Sequence, residues 1–418
     1  MSHTVIDTKD GIYVCGDNNQ GQLGLGHKKC QNQLHFLMKK NSIIQIATNS
    51  NNTFILREKR SKQDDNNNNN TEIIVIGSNY EGILGVGNNF IKYTKIPLIL
   101  PFNNNKVKQI SCGAYHTLLL TINYQIYSFG HSDFGQLGLG NFDNRNKPKL
   151  LEFNKKIIYV CCGDYHSIIL TTNYEVFVFG RNDFGALGLG PEVESRCTPQ
   201  FLLMDLSISD IACGWDYTVI LNELKSNEIL VFGYNSYGQL GLGHTENVYV
   251  PKLLTLDDSI IRVSCGESHT MILSDEGKVI VFGRNHHGQL GFNNCIDQNT
   301  PQLLMIDTTI RQINCTYYNS TILKNNGQAL IFGNNMYGQL GLNNTKPILT
   351  PQLLTKNATI IANTRDLLKW SPLLHKYFST NSRQQIYIVL LRLKRIQKIT
   401  GIFVPKFIRF EIIKAYIY

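Results

Sequence analysis

The stretch whose reading decides the fold is SFGHSDFGQLGLG, Ser128–Gly140, which follows SCGAYHTLLL, Ser111–Leu120. Working outward, the glycine-rich segment recurs as VCGDNNQGQLGLG (Val14–Gly26), VIGSNYEGILGVG (Val75–Gly87), VFGRNDFGALGLG (Val178–Gly190), VFGYNSYGQLGLG (Val231–Gly243), VFGRNHHGQLGFN (Val281–Asn293) and IFGNNMYGQLGLN (Ile331–Asn343). The leading glycines Gly16, Gly77, Gly130, Gly180, Gly233, Gly283 and Gly333 are spaced 61, 53, 50, 53, 50 and 50 apart. The second element recurs as CCGDYHSIIL (Cys161–Leu170), ACGWDYTVIL (Ala212–Leu221) and SCGESHTMIL (Ser264–Leu273). NCTYYNSTIL at Asn314 and ATNSNNTFIL at Ala47 are weaker copies.

The apolar runs between these elements are short, rich in β-branched and aromatic residues, and bounded by Gly, Asn, Asp and Pro, as strands between turns are. A period near 50 with about four such runs predicts one four-stranded propeller blade per copy. The expected fold class is therefore all-β, a seven-bladed β-propeller with a small α-helical C-terminal extension. The opening SHTVIDTKDGIYVCG aligns with the second half of a repeat, so the first blade begins in mid-blade. The missing half is expected from Pro351 to about Thr364, giving a blade shared between the two ends.

The 418 residues are 42% hydrophobic and carry a formal charge of +9, which excludes a globally disordered chain. No stretch reaches 18 uncharged apolar residues and the amino terminus lacks a basic and apolar leader. The expectation is an intracellular monomer, cytoplasmic or nuclear, neither secreted nor transmembrane. From Arg365 onward eleven Lys/Arg face only Asp366 and Glu411, so the whole net charge sits in residues 365–418. The expected domains are a propeller over 1–364, interrupted by a disordered Asn-rich loop at about 61–71, and a basic helical tail over 365–418.

The motifs invite chemical readings that their spacing opposes. GQLGLG has the order G-x-x-G-x-G, without the G-x-G-x-x-G of a dinucleotide fold or the Lys-Ser/Thr of a phosphate loop. The expectation is glycines at positive φ with the leucine turned inward. His3, His116, His166 and His269 share one repeat position, where the expected role is a hydrogen bond to neighbouring backbone inside each blade. Cys112, Cys162, Cys213, Cys265 and Cys315 also share a position and read as core residues of one strand. No CxxC pair gives zinc spacing and no Ser-His-Asp or Cys-His signature is present, so no catalytic, cofactor or metal residues are assigned. The sequons at Asn51, Asn319 and Asn357 read as coincidence in an Asn-rich chain.

The double pattern, CG-x-x-HT followed by FG-x-N-x-x-GQLG-x-G, resembles the regulator of chromosome condensation repeat family over Met1 to Thr364. That resemblance implies the seven-bladed propeller but no single activity. Its members include a chromatin-bound nucleotide exchange factor for the Ran GTPase, ubiquitin-ligase components and proteins that bind partners. The family's exchange factor works through a β-wedge projecting from one blade and carries a basic amino-terminal tail. Here the plain repeats run 50 residues, the longer ones 53, and the chain opens directly on a strand.

In the tail, Ser371-Pro372 marks a helix start, and Ile386, Val389, Leu390, Leu393 and Ile396 form an apolar stripe flanked by Arg392, Lys394, Arg395 and Lys398. VPKFIRFEIIKAYI, from Val404, resembles the first helix of an F-box, although Glu411 lies farther from Pro405 than that pattern requires. The tail is read first as a cap on the propeller. The alternatives are recruitment of a ubiquitin-ligase adaptor, or a basic patch for nucleic acid or anionic membrane. The function expected is a non-enzymatic scaffold that binds a protein partner through propeller loops, best represented by Pro191, Glu192, Glu194 and Arg196. The alternatives are a guanine nucleotide exchange factor for a Ran-like small GTPase, and a substrate-recognition subunit of a ubiquitin ligase.

Overall fold

The structure is a computed structural model that describes residues 3–39, 42–59, 71–88, 90–102, 106–204, 208–222, 226–355 and 358–362. The chain divides into two compact units, Met1–Leu367 and Leu368–Tyr418. The second unit, with the tail residues Arg392, Lys394, Arg395 and Lys398, lies outside the described residues, as does most of the Asn-rich stretch. Thr71, placed in that stretch by the sequence, instead opens the strand Thr71–Ser78.

Seven four-stranded antiparallel sheets form the first unit. Numbering blades 1 to 7 in chain order and strands A to D outward, blade 3 is Val107–Cys112, His116–Thr121, Ile126–Gly130 and Arg145–Leu150. The A strands of successive blades contact one another around the axis. A–B turns and C–D loops therefore emerge on one face, and B–C turns with D–A connections on the other.

Blade 1 closes the ring. Its A strand is Ala358–Ala362, which pairs antiparallel with the B strand His3–Thr8, Val5 opposite Ala362 and Asp7 opposite Ile360. The shared blade is thus correct, but its division is three strands to one rather than half and half. Pro351 belongs to Ile348–Thr355, the D strand that completes blade 7, which leaves a single strand for closure.

The repeated letters are explained at the blade boundaries. The leading glycines all have φ between +102° and +113°, and a Cβ on Gly130 would lie 2.3 Å from the Tyr115 carbonyl oxygen. No L side chain is accommodated there without displacing backbone. The leucine of each GQLG segment (Leu23, Leu84, Leu137, Leu187, Leu240, Leu290, Leu340) is fully buried, as expected. The Asn of FG-x-N folds the loop, its Oδ1 accepting the amide of that leucine, for example Leu187 N–H to Asn182 at 2.9 Å and Leu240 N–H to Asn235 at 2.9 Å.

The Ser or Thr after the recurrent histidine position donates to the preceding blade's GQLG segment at all seven boundaries. The bonds are Thr4 to Gln339 O (2.6 Å), Thr53 to Gln22 O (2.8 Å), Thr117 to Ile83 O (3.5 Å) and Ser167 to Gln136 O (2.8 Å). Thr218 to Ala186 O (3.3 Å), Thr270 to Gln239 O (2.8 Å) and Ser320 to Gln289 O (2.7 Å) complete the circle. The HT and GQLG signatures are therefore two halves of one interblade joint.

The histidines extend this joint, which corrects the expectation of a backbone bond inside the blade. Nε2 of His3 meets Thr53 Oγ1 (2.6 Å), His116 meets Ser167 Oγ (2.8 Å), His166 meets Thr218 Oγ1 (3.1 Å) and His269 meets Ser320 Oγ (3.0 Å), each in the next blade. Because each hydroxyl spends its proton on a carbonyl, it can only accept from the imidazole, so Nε2 carries the hydrogen. The glycine three residues earlier makes room: a Cβ on Gly163 would sit 2.0 Å from His166 Cε1. Burial pushes the pKa of His3 and of His269 down to about 3. The five repeat cysteines end the A strands and are buried, and like the other five they form no disulfide.

Candidate functional site

With the shared letters committed to blade joints, the positions that differ between repeats are the ones left for recognition. The two variable residues of CG-x-x-H sit in the A–B turns at the axis. They are Ser50-Asn51, Ala114-Tyr115, Asp164-Tyr165, Trp215-Asp216, Glu267-Ser268 and Tyr317-Tyr318 in blades 2 to 7. Backbone amides tie these turns together: Ala114 N–H to Asp164 O (3.2 Å), Asp164 to Trp215 (3.1 Å), Trp215 to Glu267 (3.2 Å) and Glu267 to Tyr317 (3.1 Å). The result is an arc of five bonded turns, from blade 3 to blade 7, beside an open cavity of about 290 Å³ that Ser50 and Asn51 of blade 2 also line.

Aromatic rings cover the arc and spread onto the C–D loops. Tyr115 packs on Tyr165 (centroids 5.7 Å apart) and Tyr80 (6.1 Å), and Phe134 packs on Tyr165 (5.4 Å). Farther round, Trp215 meets Tyr234 (5.7 Å) and His287 meets Tyr318 (4.9 Å).

Two arginines are set among these rings. The Arg181 guanidinium lies over Phe134, Phe184 and Tyr165 at 5.0, 5.2 and 5.6 Å, and pairs with Asp183 (2.7 Å) and Asp216 (3.4 Å). Arg284 lies over Tyr237 (4.5 Å) and Tyr318 (5.3 Å), with Glu267 3.7 Å away. Cation–π contact and ion pairing hold both side chains in place, so their stems are ordered before any partner arrives.

The arc's electrostatics are strained. Burial pushes the Glu267 carboxyl above the usual range, and the nearby Asp164 pushes it further, against hydrogen bonding from Tyr318 and the charge of Arg284. The Tyr318 hydroxyl donates to Glu267 Oε1 at 2.8 Å, and the Tyr317 hydroxyl reaches across from blade 7 to Asp164 Oδ2 in blade 4 at 3.3 Å. Burial lowers the His287 pKa, with Arg284 adding to the effect.

The loop Pro191–Arg196 lies on this same face, at its rim rather than at the arc. Pro191, Glu192 and Glu194 are exposed, while Arg196 is half-buried at the start of the blade 4 D strand Arg196–Met204. The loop is held by Asn182, whose Nδ2 donates to Val193 O at 2.6 Å. Sequence reasoning missed Tyr115, Tyr165, Trp215, Glu267, Tyr317, Arg181 and Arg284. The available signal was variation at a fixed repeat position, most visible in the WD of ACGWDYT and the DY of CCGDYHS. Asn319 is buried on its strand and its amide bonds to Asn334 O, so its sequon is closed to modification. Among the described residues no group of three or more His, Cys, Asp or Glu is placed to hold a metal, and no helix is long and apolar enough to cross a membrane.

Comparisons with known proteins agree with this architecture. The RCC1-like domain matches residues 125–367, and regulator of chromosome condensation (RCC1) repeats match 9–56, 72–120 and 107–136. The chain is 36% identical over 280 residues to the human X-linked retinitis pigmentosa GTPase regulator, covering 65% of this chain and 26% of that protein. It is 28% identical to the Arabidopsis thaliana ultraviolet-B receptor UVR8, covering 66% and 62%, and 33% identical to the human probable E3 ubiquitin-protein ligase HERC4, covering 66% and 21%. The match thus spans only about a quarter of the first of these relatives. Among solved structures, yeast RCC1 (Prp20) bound to Kap60 superposes with a TM-score of 0.72 at 20% identity, over 85% of this chain and 86% of that one. Human WBSCR16 gives 0.71 at 21%, over 82% and 94%. With a domain match over more than half its length, the chain belongs to the RCC1-like domain family.

Proposed function

We propose that this propeller is a non-enzymatic protein-interaction scaffold whose A–B/C–D face receives a protein partner inside the cell. The observation that carries the reading is the concentration of Tyr, Trp and Arg at the repeat positions that vary, all on one face. These three residue types dominate binding energy at protein interfaces. Arginines already locked by aromatic stacking, on turns already bonded to one another, lose little entropy on association. The loop with Pro191, Glu192, Glu194 and Arg196 would then form part of the polar rim.

Two narrower readings share this surface. A Ran-like small GTPase as partner, with the chain as its exchange factor, is favoured by the likeness to a protein named a GTPase regulator. Each blade has four strands with no added hairpin among the described residues, which favours binding over wedge-driven exchange. Recognition of substrates for a ubiquitin ligase is favoured by the likeness to HERC4, with the tail 365–418 as recruiter.

The test compares capture from lysate by three full-length baits. Phe142→Asp/Met336→Asp changes two exposed residues of the C–D loops, and Ile122→Asp/Tyr124→Asp changes two on the opposite B–C turn. Retention of specific partners should fall at least about tenfold with the first pair, as expected for lost interface anchors, and stay unchanged with the second. Equal retention by all three would overturn the assignment of the face.

A further inference from the structure

A groove crosses from blade 2 to blade 3 on the face that presents the A–B turns and C–D loops. It consists of two open cavities, of about 810 and 740 Å³, whose walls share Asn79 and Glu81. Lys28, Lys92, Tyr80 and Tyr93 line the first cavity, and Arg145, Lys147 and Lys149 line the second. Five cations therefore stand along the groove against one carboxylate in its walls, that of Glu81.

The cations are held for use. The Gly87 amide of blade 2 donates to Asn146 O of blade 3 at 2.7 Å and fixes the two walls together. The Lys147 stem lies over Gly87, where a Cβ would come within 2.2 Å of its Cε. Arg145 is placed by Asn144 O (3.1 Å) and by Asp143 (3.3 Å), and the Lys28 ammonium lies 3.3 Å over the Tyr93 ring. Lys92, Lys147 and Lys149 are exposed and have no ion pair among the described residues. Even with Asp143 set against Arg145, cations outnumber acids.

The surrounding charge acts in the same direction. Residues 1–156 carry eighteen Lys and Arg against eleven Asp and Glu, whereas residues 157–309, which form blades 4 to 6, carry seven against eighteen. An anionic segment is thus steered toward blades 1 to 3 and away from the other side of the ring. Glu81 then selects among anions. It sits where the two cavities meet, at φ +53°, with the Asn144 amide donating to its Oε2. A strand with a phosphate at every residue cannot avoid that carboxylate, and like charges repel. A peptide can place acids on either side of Glu81 and an uncharged residue opposite it.

The geometry points to this groove as the docking site for an extended acidic segment of the protein partner. Its carboxylates meet Lys28 and Lys92 on one side of Glu81, and Arg145, Lys147 and Lys149 on the other. This rests on the face assigned under the proposed function and adds the chemistry that the partner must bring.

The test follows the anisotropy of a rhodamine-labelled, end-blocked peptide, Glu-Asp-Gly-Ser-Gly-Glu-Asp, added to the full chain at about 50 mM salt, where surface charges are only partly screened. Half-saturation is expected below about 1 mM, the weak end of specific recognition, with at least tenfold weaker binding of the Gln/Asn counterpart. Replacing the central Ser of the peptide by Glu should weaken it at least threefold, and Glu81→Gln should remove that difference. Lys147→Glu/Lys149→Glu should weaken the acidic peptide at least tenfold. Lys9→Glu/Lys39→Glu, the same charge change at two exposed residues of the opposite face, should weaken it less than threefold.

Four results overturn the proposal: no saturation by about 1 mM, equal losses in the two charge variants, binding untouched by Lys147→Glu/Lys149→Glu, or tighter binding of octathymidylate than of the peptide. The third would assign the peptide to the basic residues 365–418, and the fourth would make the groove a nucleic-acid site. The peptide comparisons on the unaltered chain need no variant, so a folding defect cannot rescue the idea. If Phe142→Asp/Met336→Asp still abolishes partner capture while the acidic peptide fails to bind, the face stands and only the groove falls.

Discussion

The imidazole Nε2 of His116 and the hydroxyl of Ser167 stand 2.8 Å apart across the boundary between blades 3 and 4, and the same hydroxyl donates to Gln136 O at 2.8 Å. Three repeat signatures therefore meet at one buried point. Removing the hydroxyl strands both a donor and an acceptor. Ser167→Ala should destabilise by about 1–3 kcal/mol, read by denaturant titration. The double variant with His116→Ala should be less damaging than the two losses added, because one bond is counted twice. Strict additivity would show that the relay contributes nothing as a unit.

The buried histidines give a pH dependence of definite sign. His3 and His269 are neutral in the fold, with pKa values near 3, against 6.5 for the free side chain. Between those values the unfolded chain binds more protons, so stability rises with pH through this window and is lost as the pH falls. From pH 7 to pH 5 the loss should be roughly 2 kcal/mol for each histidine. His269→Asn, which copies Asn319 at the same position of blade 7, should flatten the slope of stability against pH between 5 and 7. An unchanged slope would contradict the neutral buried imidazole.

The glycine three residues before His116, His166 and His269 should resist substitution for steric rather than conformational reasons. Gly163→Ala places a methyl 2.0 Å from the His166 ring and should cost roughly 1–3 kcal/mol, as overpacking does. Gly26→Ala, at φ +83° with open space around it, should cost only about 1 kcal/mol from backbone strain. Thermal melts of the two variants decide whether contact or dihedral sets the cost.

Closure of the ring rests on one strand. A chain ending at Thr364 keeps Ala358–Ala362 against His3–Thr8 and should melt cooperatively near the full-length value. A chain ending at Asn357 exposes the edge of blade 1 and should lose cooperativity or aggregate. Equal melting of the two would show that closure comes from packing of neighbouring blades instead.

The sequence made the fold legible because each folding constraint is written seven times. Gly130, Leu137 and Thr117 recur with their neighbours at a period near 50, and each repetition separates pattern from chance. The same repetition hid the blade joint: nothing in a linear string shows that Thr117 of one repeat answers Ile83 of another. It also drew attention to the loop at Pro191, which is conspicuous for composition, and away from Asp164 and Trp215. Those two residues lie between shared letters and become neighbours only when the turns of adjacent blades bond backbone to backbone. The three-to-one split of blade 1 was obscured because PQLLTKNATII resembles a complete half-repeat, whereas its first part is spent on blade 7.

The central claim is that shared repeat letters build the ring while the variable residues of one face bind the partner. The most direct measurement is hydrogen–deuterium exchange of the full-length chain with and without its captured partner. The account predicts slower exchange on binding in the A–B turns 113–116, 163–166, 214–217, 266–269 and 316–319 and in the adjoining C–D loops. Protection confined to the B–C turns at 122–125, 172–174 and 275–277, with the A–B turns unchanged, would contradict it.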